Sequence, residues 1–85
     1  MIAEKVFIVS RYQDELDKMQ HKLIALRIVD RMPTRILVGA PQDWIDRQFR
    51  GVRSGVIFLT SDVEHWKPPA IYTQGRDFTT FVMHV

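Results

Sequence analysis

The apolar residues of this chain fall into two patterns. Val6–Val9, Ile36–Val38 and Val56–Leu59 are short unbroken runs rich in β-branched and aromatic residues. Such runs read as strands buried on both faces. Between them the apolar positions are spaced three and four apart, which is the period of a helix with one buried stripe. Three strands are thus predicted: Lys5–Ser10 (KVFIVS), Thr34–Val38 (TRILV) and Gly55–Thr60 (GVIFLT).

The spacing predicts a first helix from Tyr12 to about Val29, with Leu16, Met19, Leu23 and Leu26 on its stripe. Asp14, Glu15 and Asp17 fall in its first turns, where the helix dipole favours anions. Ile24 and Ile28 lie off the stripe, so this helix is either buried on two sides or broken near Arg27. A rival reading ends it near Gln20 and makes Leu23–Val29 a strand. Met32-Pro33 closes the segment. Pro41 suits the first turn of a second, short helix with Ile45, Phe49 and Val52 inward and Gly51 as its stop.

After Thr60 the pattern is irregular as far as Pro68-Pro69. Ala70–Thr73 and Phe78–Val85 then read as a hairpin around Gln74-Gly75-Arg76-Asp77. The order β-α-β-α-β-β-β predicts an α/β fold: a small βαβαβ core with a largely parallel sheet plus a C-terminal antiparallel hairpin. Residues 1–85 form one compact domain on this reading, because a chain of this length has surface enough for only one core. Two helices leave part of a five-stranded sheet uncovered, and the exposed side of the last strand is a candidate edge for pairing in a homodimer.

Composition narrows the function classes. With 46% apolar and 26% charged residues the chain is an ordinary globule rather than a disordered tail. No apolar run exceeds four residues, which argues against a transmembrane helix and a signal peptide and predicts a cytoplasmic protein without membrane contact. There is no cysteine, so disulfides, thiolate nucleophiles and cysteine-based zinc sites are excluded. No GxGxxG, GxxxxGK[ST] or GxSxG motif occurs. His21, His65 and His84 are scattered, and Asp62, Glu64 and His65 read as an ordinary surface loop. The sequence therefore nominates no catalytic residue, metal site or cofactor, and the protein is read as non-enzymatic.

Charge distribution adds one feature. The net charge is only +2, but residues 27–53 hold six arginines, three aspartates and no lysine. Asp43/Arg47 and Asp46/Arg50 have the acid-first spacing of helical ion pairs. An unpaired arginine set would instead suit phosphate or an acidic partner. Trp66, beside Pro68-Pro69, is either a lid on the small core or a rigid anchor for a partner.

Tryptophan and arginine dominate interface hot spots. The favoured reading is thus a protein-binding module that engages its partner through Trp44, Arg47, Arg50, Arg53 and Trp66. Accessory, adaptor and inhibitor proteins have this size, those of phages and mobile elements included. The first alternative is a nucleic-acid-binding protein using the Arg-rich 27–53 region, with Tyr12, Trp44 and Trp66 as stacking residues. The second is a small-ligand or nucleotide site at the strand carboxyl ends, with a rim of Ser10, Arg11, Gln42, Asp43, Ser61 and Asp62.

Overall fold

The structure, a computed structural model, describes residues 4–85. The elements are β1 (Lys5–Ser10), α1 (Gln13–Ala25), β2 (Thr34–Leu37), α2 (Gln42–Phe49), β3 (Ser54–Thr60), a 3-10 turn (Ser61–Val63), α3 (Ala70–Thr73) and β4 (Asp77–Met83). The four strands form one sheet in the order β2-β1-β3-β4. Every neighbouring pair is parallel. The α/β class and the parallel core agree with the sequence pattern.

The connections explain where the helices lie. β1-α1-β2 moves one way along the sheet, while β2-α2-β3 and β3-α3-β4 move the other way. With crossovers of one hand, α1 goes to one face and α2 and α3 go to the other. Two cores result. Val6, Ile8, Val56 and Phe58 meet Leu16, Met19 and Leu23 of α1, with Val29 beside them. Phe7, Val9, Ile36, Ile57 and Leu59 meet Ile45 and Phe49 of α2, and Trp66, Tyr72 and Phe78 pack against that cluster. Alternate residues of β1 and β3 thus serve opposite cores, so both strands are near-continuously apolar.

The C-terminal hairpin does not form. Ala70–Thr73 is a single helical turn rather than a strand, and β4 runs parallel to β3. Two things decide this. Pro69 leads into a turn in which Gln74 N–H donates to the Ala70 carbonyl at 2.8 Å. Phe78, opposite Gly55, then puts its ring against Phe7 and Phe49 in the α2-side core. The connection from Ser61 to Arg76 is long enough to cross the sheet and enter from the same end as β3.

The first helix is also shorter than its pattern. It passes Gln20 but stops at Ala25, so neither the helix to Val29 nor the Leu23–Val29 strand is present. The Ile28 N–H donates to the Leu23 carbonyl at 2.9 Å, and Arg27 N–H to the Ile24 carbonyl at 3.0 Å. Those two bonds are a Schellman motif, and they put Arg27 at φ 56°. Val29 then turns inward while Leu26, Ile28 and Met32 stay exposed. A left-handed residue with a Cβ is strained. The Arg27→Gly variant is therefore expected to gain about 0.5–1 kcal/mol, raising Tm by about 3–6 °C. An unchanged or lower Tm would show that the Arg27 side chain contributes more than its backbone costs.

Candidate functional site

Three surfaces can be assembled from the residues the sequence singled out and from those it passed over. The first is the sheet's carboxyl edge between β1 and β3, where the strand order reverses and open α/β sheets bind ligands. Ser10 ends β1 facing the N-terminus of α1. Its hydroxyl donates to Glu15 Oε1 at 2.6 Å and accepts from the Tyr12 N–H at 3.3 Å. The Thr60 hydroxyl, at the end of β3, reaches the same oxygen at 3.5 Å. Arg11 and Asp62 bridge the two loops, Nε to Oδ2 at 3.4 Å. Ser10 and Thr60 are buried, and among the described residues no buried polar side-chain atom lacks a partner. The hydroxyls thus stitch β1, β3 and α1 together and leave no group calling for a ligand.

The proposed rim is divided. Ser10, Arg11 and Asp62 meet here, with Ser61 beginning the turn after β3. Gln42 and Asp43 belong to the start of α2, and both are spent along that helix. Gln42 Nε2 donates to Asp46 Oδ1 at 2.8 Å, and Asp43 pairs with Arg47 at 3.5 Å.

The second surface is a groove of about 590 Å³ beside β2, lined by Gln13, Leu16, Arg35, Leu37, Ala40, Pro41, Asp43, Trp44 and Arg47. Its arginines are engaged. Arg35 pairs with Asp17 at 2.6 Å and donates to Gln20 and Gln13. Trp44 supplies a partly exposed apolar wall.

The five residues expected to form one contact surface are not together. Trp44 and Arg47 line this groove. Arg50 lies on the other flank of α2, its guanidinium 5.9 Å from the Tyr72 ring centre. Asp46 takes the Gln42 amide instead of pairing with Arg50. Trp66 packs on Phe49 with ring centres 6.1 Å apart, as a lid on the core. Arg53 lies between α2 and β3, where its backbone N–H donates to Glu4 Oε2 at 3.1 Å. Of the remaining arginines, Arg31 contacts Asp30 and the Glu4 carbonyl. The Arg-rich region is therefore largely dispersed into separate internal contacts.

The third surface is the last strand, whose exposed side the sequence offered only as a candidate edge for homodimer pairing. Phe58, Phe81 and Met83 share the α1 face of the sheet, and the Phe58 and Phe81 rings stack 5.6 Å apart. α1 packs over β1 and the adjoining residues of β3, with Met83 against that core, and leaves Phe81 of β4 47% exposed; Val82, on the opposite face, is 44% exposed. β4 is an edge strand with β3 on one side and no strand on the other among the described residues. The signal was present in Phe78–Met83, where Phe78, Phe81, Val82 and Met83 flank two threonines, but a hairpin reading assigns the wrong neighbour to it.

Among the described residues no three His, Asp or Glu side chains converge as a metal site, and no helix is long and apolar enough to cross a membrane. His65 is almost fully exposed and lies 3.7 Å from Glu64. Partial burial lowers the Lys5 pKa, and Glu4 opposes that shift. The Lys5 ammonium donates to the Gln48 carbonyl at 2.7 Å, near the negative end of α2.

These features define a small doubly wound α/β domain with a short edge strand, β2, and a long one, β4. No protein-family model, no curated protein and no solved structure matches the chain.

Proposed function

We propose that this protein is a non-enzymatic protein-binding module whose working surface is the open edge of β4 with the apolar strip beside it. The observation that carries this reading is the character of β4. It is seven residues long, has a neighbour on one side, and carries no charge from Phe78 through Met83. Edge strands in stable monomers are shortened, charged or covered, because their unpaired N–H and C=O groups recruit other strands. β2, the opposite edge, follows that rule: it has four residues, follows Pro33 and carries Arg35. β4 follows none of it. Addition of a partner strand to such an edge is a recurring mode of recognition.

The groove at Trp44 and Arg47 supports a second reading. It retains the tryptophan-and-arginine contact surface in reduced form, with Arg50, Arg53 and Trp66 removed from it. The dispersal of the arginines weighs against a continuous phosphate-binding patch.

Site-specific photo-crosslinking in the producing cell separates the two surfaces. A crosslinking amino acid in place of Val82 is expected to give discrete adducts, which a Thr80→Pro change in the same chain removes. Adducts from position 47 but not from position 82 would transfer the function to the groove and end the β4 reading.

A further inference from the structure

We infer that the strand that pairs with β4 is the β4 of a second copy of this chain, antiparallel about a two-fold axis through Thr80. The inference rests on the reading of β4 as the working edge, and it follows from which backbone groups point outward.

Asp77 N–H donates to the Arg53 carbonyl of the chain entering β3, at 3.1 Å. In a strand the N–H and C=O of one residue point the same way, and successive residues alternate. Asp77, Thr79, Phe81 and Met83 therefore bond to β3, while Phe78, Thr80 and Val82 direct both groups to the open edge. A second copy related by an axis normal to the sheet keeps its two faces matched to those of the first. Opposed residues must then share a face, so only pairings of like parity are allowed. Centring the axis on Thr80 uses every outward residue: Thr80 meets Thr80, and Phe78 meets Val82 in both directions. All three are close hydrogen-bonded pairs, and together they make six backbone bonds.

In that register each phenylalanine of the strand faces a smaller β-branched residue. On the α1 face each Phe81 stands opposite a threonine, Thr79, and extends the Phe58–Phe81 stack toward the seam. On the other face the half-exposed Val82 meets the edge of Phe78. Aromatic and β-branched pairs of this kind favour strand association. No like charges oppose one another. Arg76 turns away from the edge, donating to the Val52 carbonyl at 3.3 Å, and Asp77 falls opposite a methionine, Met83. The result is one eight-stranded sheet with β2 at both ends.

The area sets the strength. At one hydrogen bond per 100–200 Å², six bonds correspond to roughly 600–1200 Å² of total interface. That lies at the low end for specific association, so the dimer is weak and reversible, with a dissociation constant on the order of micromolar or above.

Sedimentation equilibrium of the whole chain from about 5 to 500 µM, with amide hydrogen exchange at both ends of that range, tests the inference. The expected result is a monomer–dimer equilibrium in which Phe78, Thr80 and Val82 amides become protected as concentration rises. Thr80→Pro removes two of the six bonds but no bond to β3, and should weaken the dimer about 30-fold. Val82→Lys should weaken it about tenfold through the surface alone, and keeps the test intact if the proline variant fails to fold. A monomer at every concentration would overturn the second-copy inference and leave the β4 reading to the crosslinking result. A dimer unaffected by either folded variant, with unprotected β4 amides, would overturn both.

Discussion

Replacing Phe49 by alanine is expected to remove a large share of this domain's stability. Phe49 is the last residue of α2 and has no exposed surface. Its ring stacks on Phe7 at 4.2 Å and lies 5.9 Å from Phe78 and 6.1 Å from Trp66. It touches the central strand β1, the edge strand β4 and the loop lid together. Truncating a buried phenylalanine costs about 3–5 kcal/mol, because the lost transfer energy is joined by a cavity that the surroundings only partly fill. A domain of this length has about 4–13 kcal/mol in total. Urea denaturation should show the midpoint falling by about 2–4 M. Phe49→Leu keeps most of the volume and should cost about 1–1.5 kcal/mol. An alanine variant within 1 kcal/mol of the parent would mean that α2 does not pack on Phe7 and Phe78 as described.

The same residue shows what the sequence makes legible. Ile45 and Phe49 mark the inner face of α2 by spacing alone and both are buried, as is Val52 just past the helix end. Lys5–Ser10 is a strand in both the pattern and the structure. These elements were readable because each signal is local: a period, a run, a proline at a helix start. Chain direction is not local. Alternation in Phe78–Val85 says that a strand is present but is silent on whether it runs with or against β3. Arg27 is similar. The pattern offered a break there as one of two options, and the choice was made by Val29 reaching the α1-side core.

The site was legible in pieces. The Asp43–Arg47 pair follows from spacing, while the Arg35–Asp17 pair depends on β2 lying under α1. Residue type made Trp66 a candidate anchor, but its contact with Phe49 makes it part of the core. The last strand could be offered only as a candidate dimer edge, without its register or its apolar strip, because an edge is a property of the finished sheet. Only once β4 is placed beyond β3, with α1 packed over β1 and β3, does the open strip exist.

Gly55→Ala should then destabilise the domain by about 1–3 kcal/mol, and it tests the placement of β4 directly. Glycine weakens a strand interior, so alanine there would ordinarily be neutral or helpful. Here a Cβ would stand 2.7 Å from Phe78 Cε1, 3.0 Å from Cδ1 and 3.2 Å from the Lys5 carbonyl. The ring has little room to retreat, because Phe7 and Phe49 lie behind it. Overpacking of this kind forces either an off-rotamer ring or a shift of the strand. Phe78→Leu supplies the control. If Gly55 and Phe78 face each other across parallel strands, the alanine should cost much less in the Phe78→Leu background, with a coupling of about 1–2 kcal/mol. Independent, additive effects would mean that Phe78 is not seated over Gly55, and the parallel register of β4 would fall with it. The coupling also reaches the surface of the molecule. Phe78 carries one of the three outward backbone pairs of β4, so a displaced ring moves the edge that the proposed dimer uses. Gly55→Ala is therefore expected to weaken self-association together with stability, whereas Val82→Lys should weaken self-association alone.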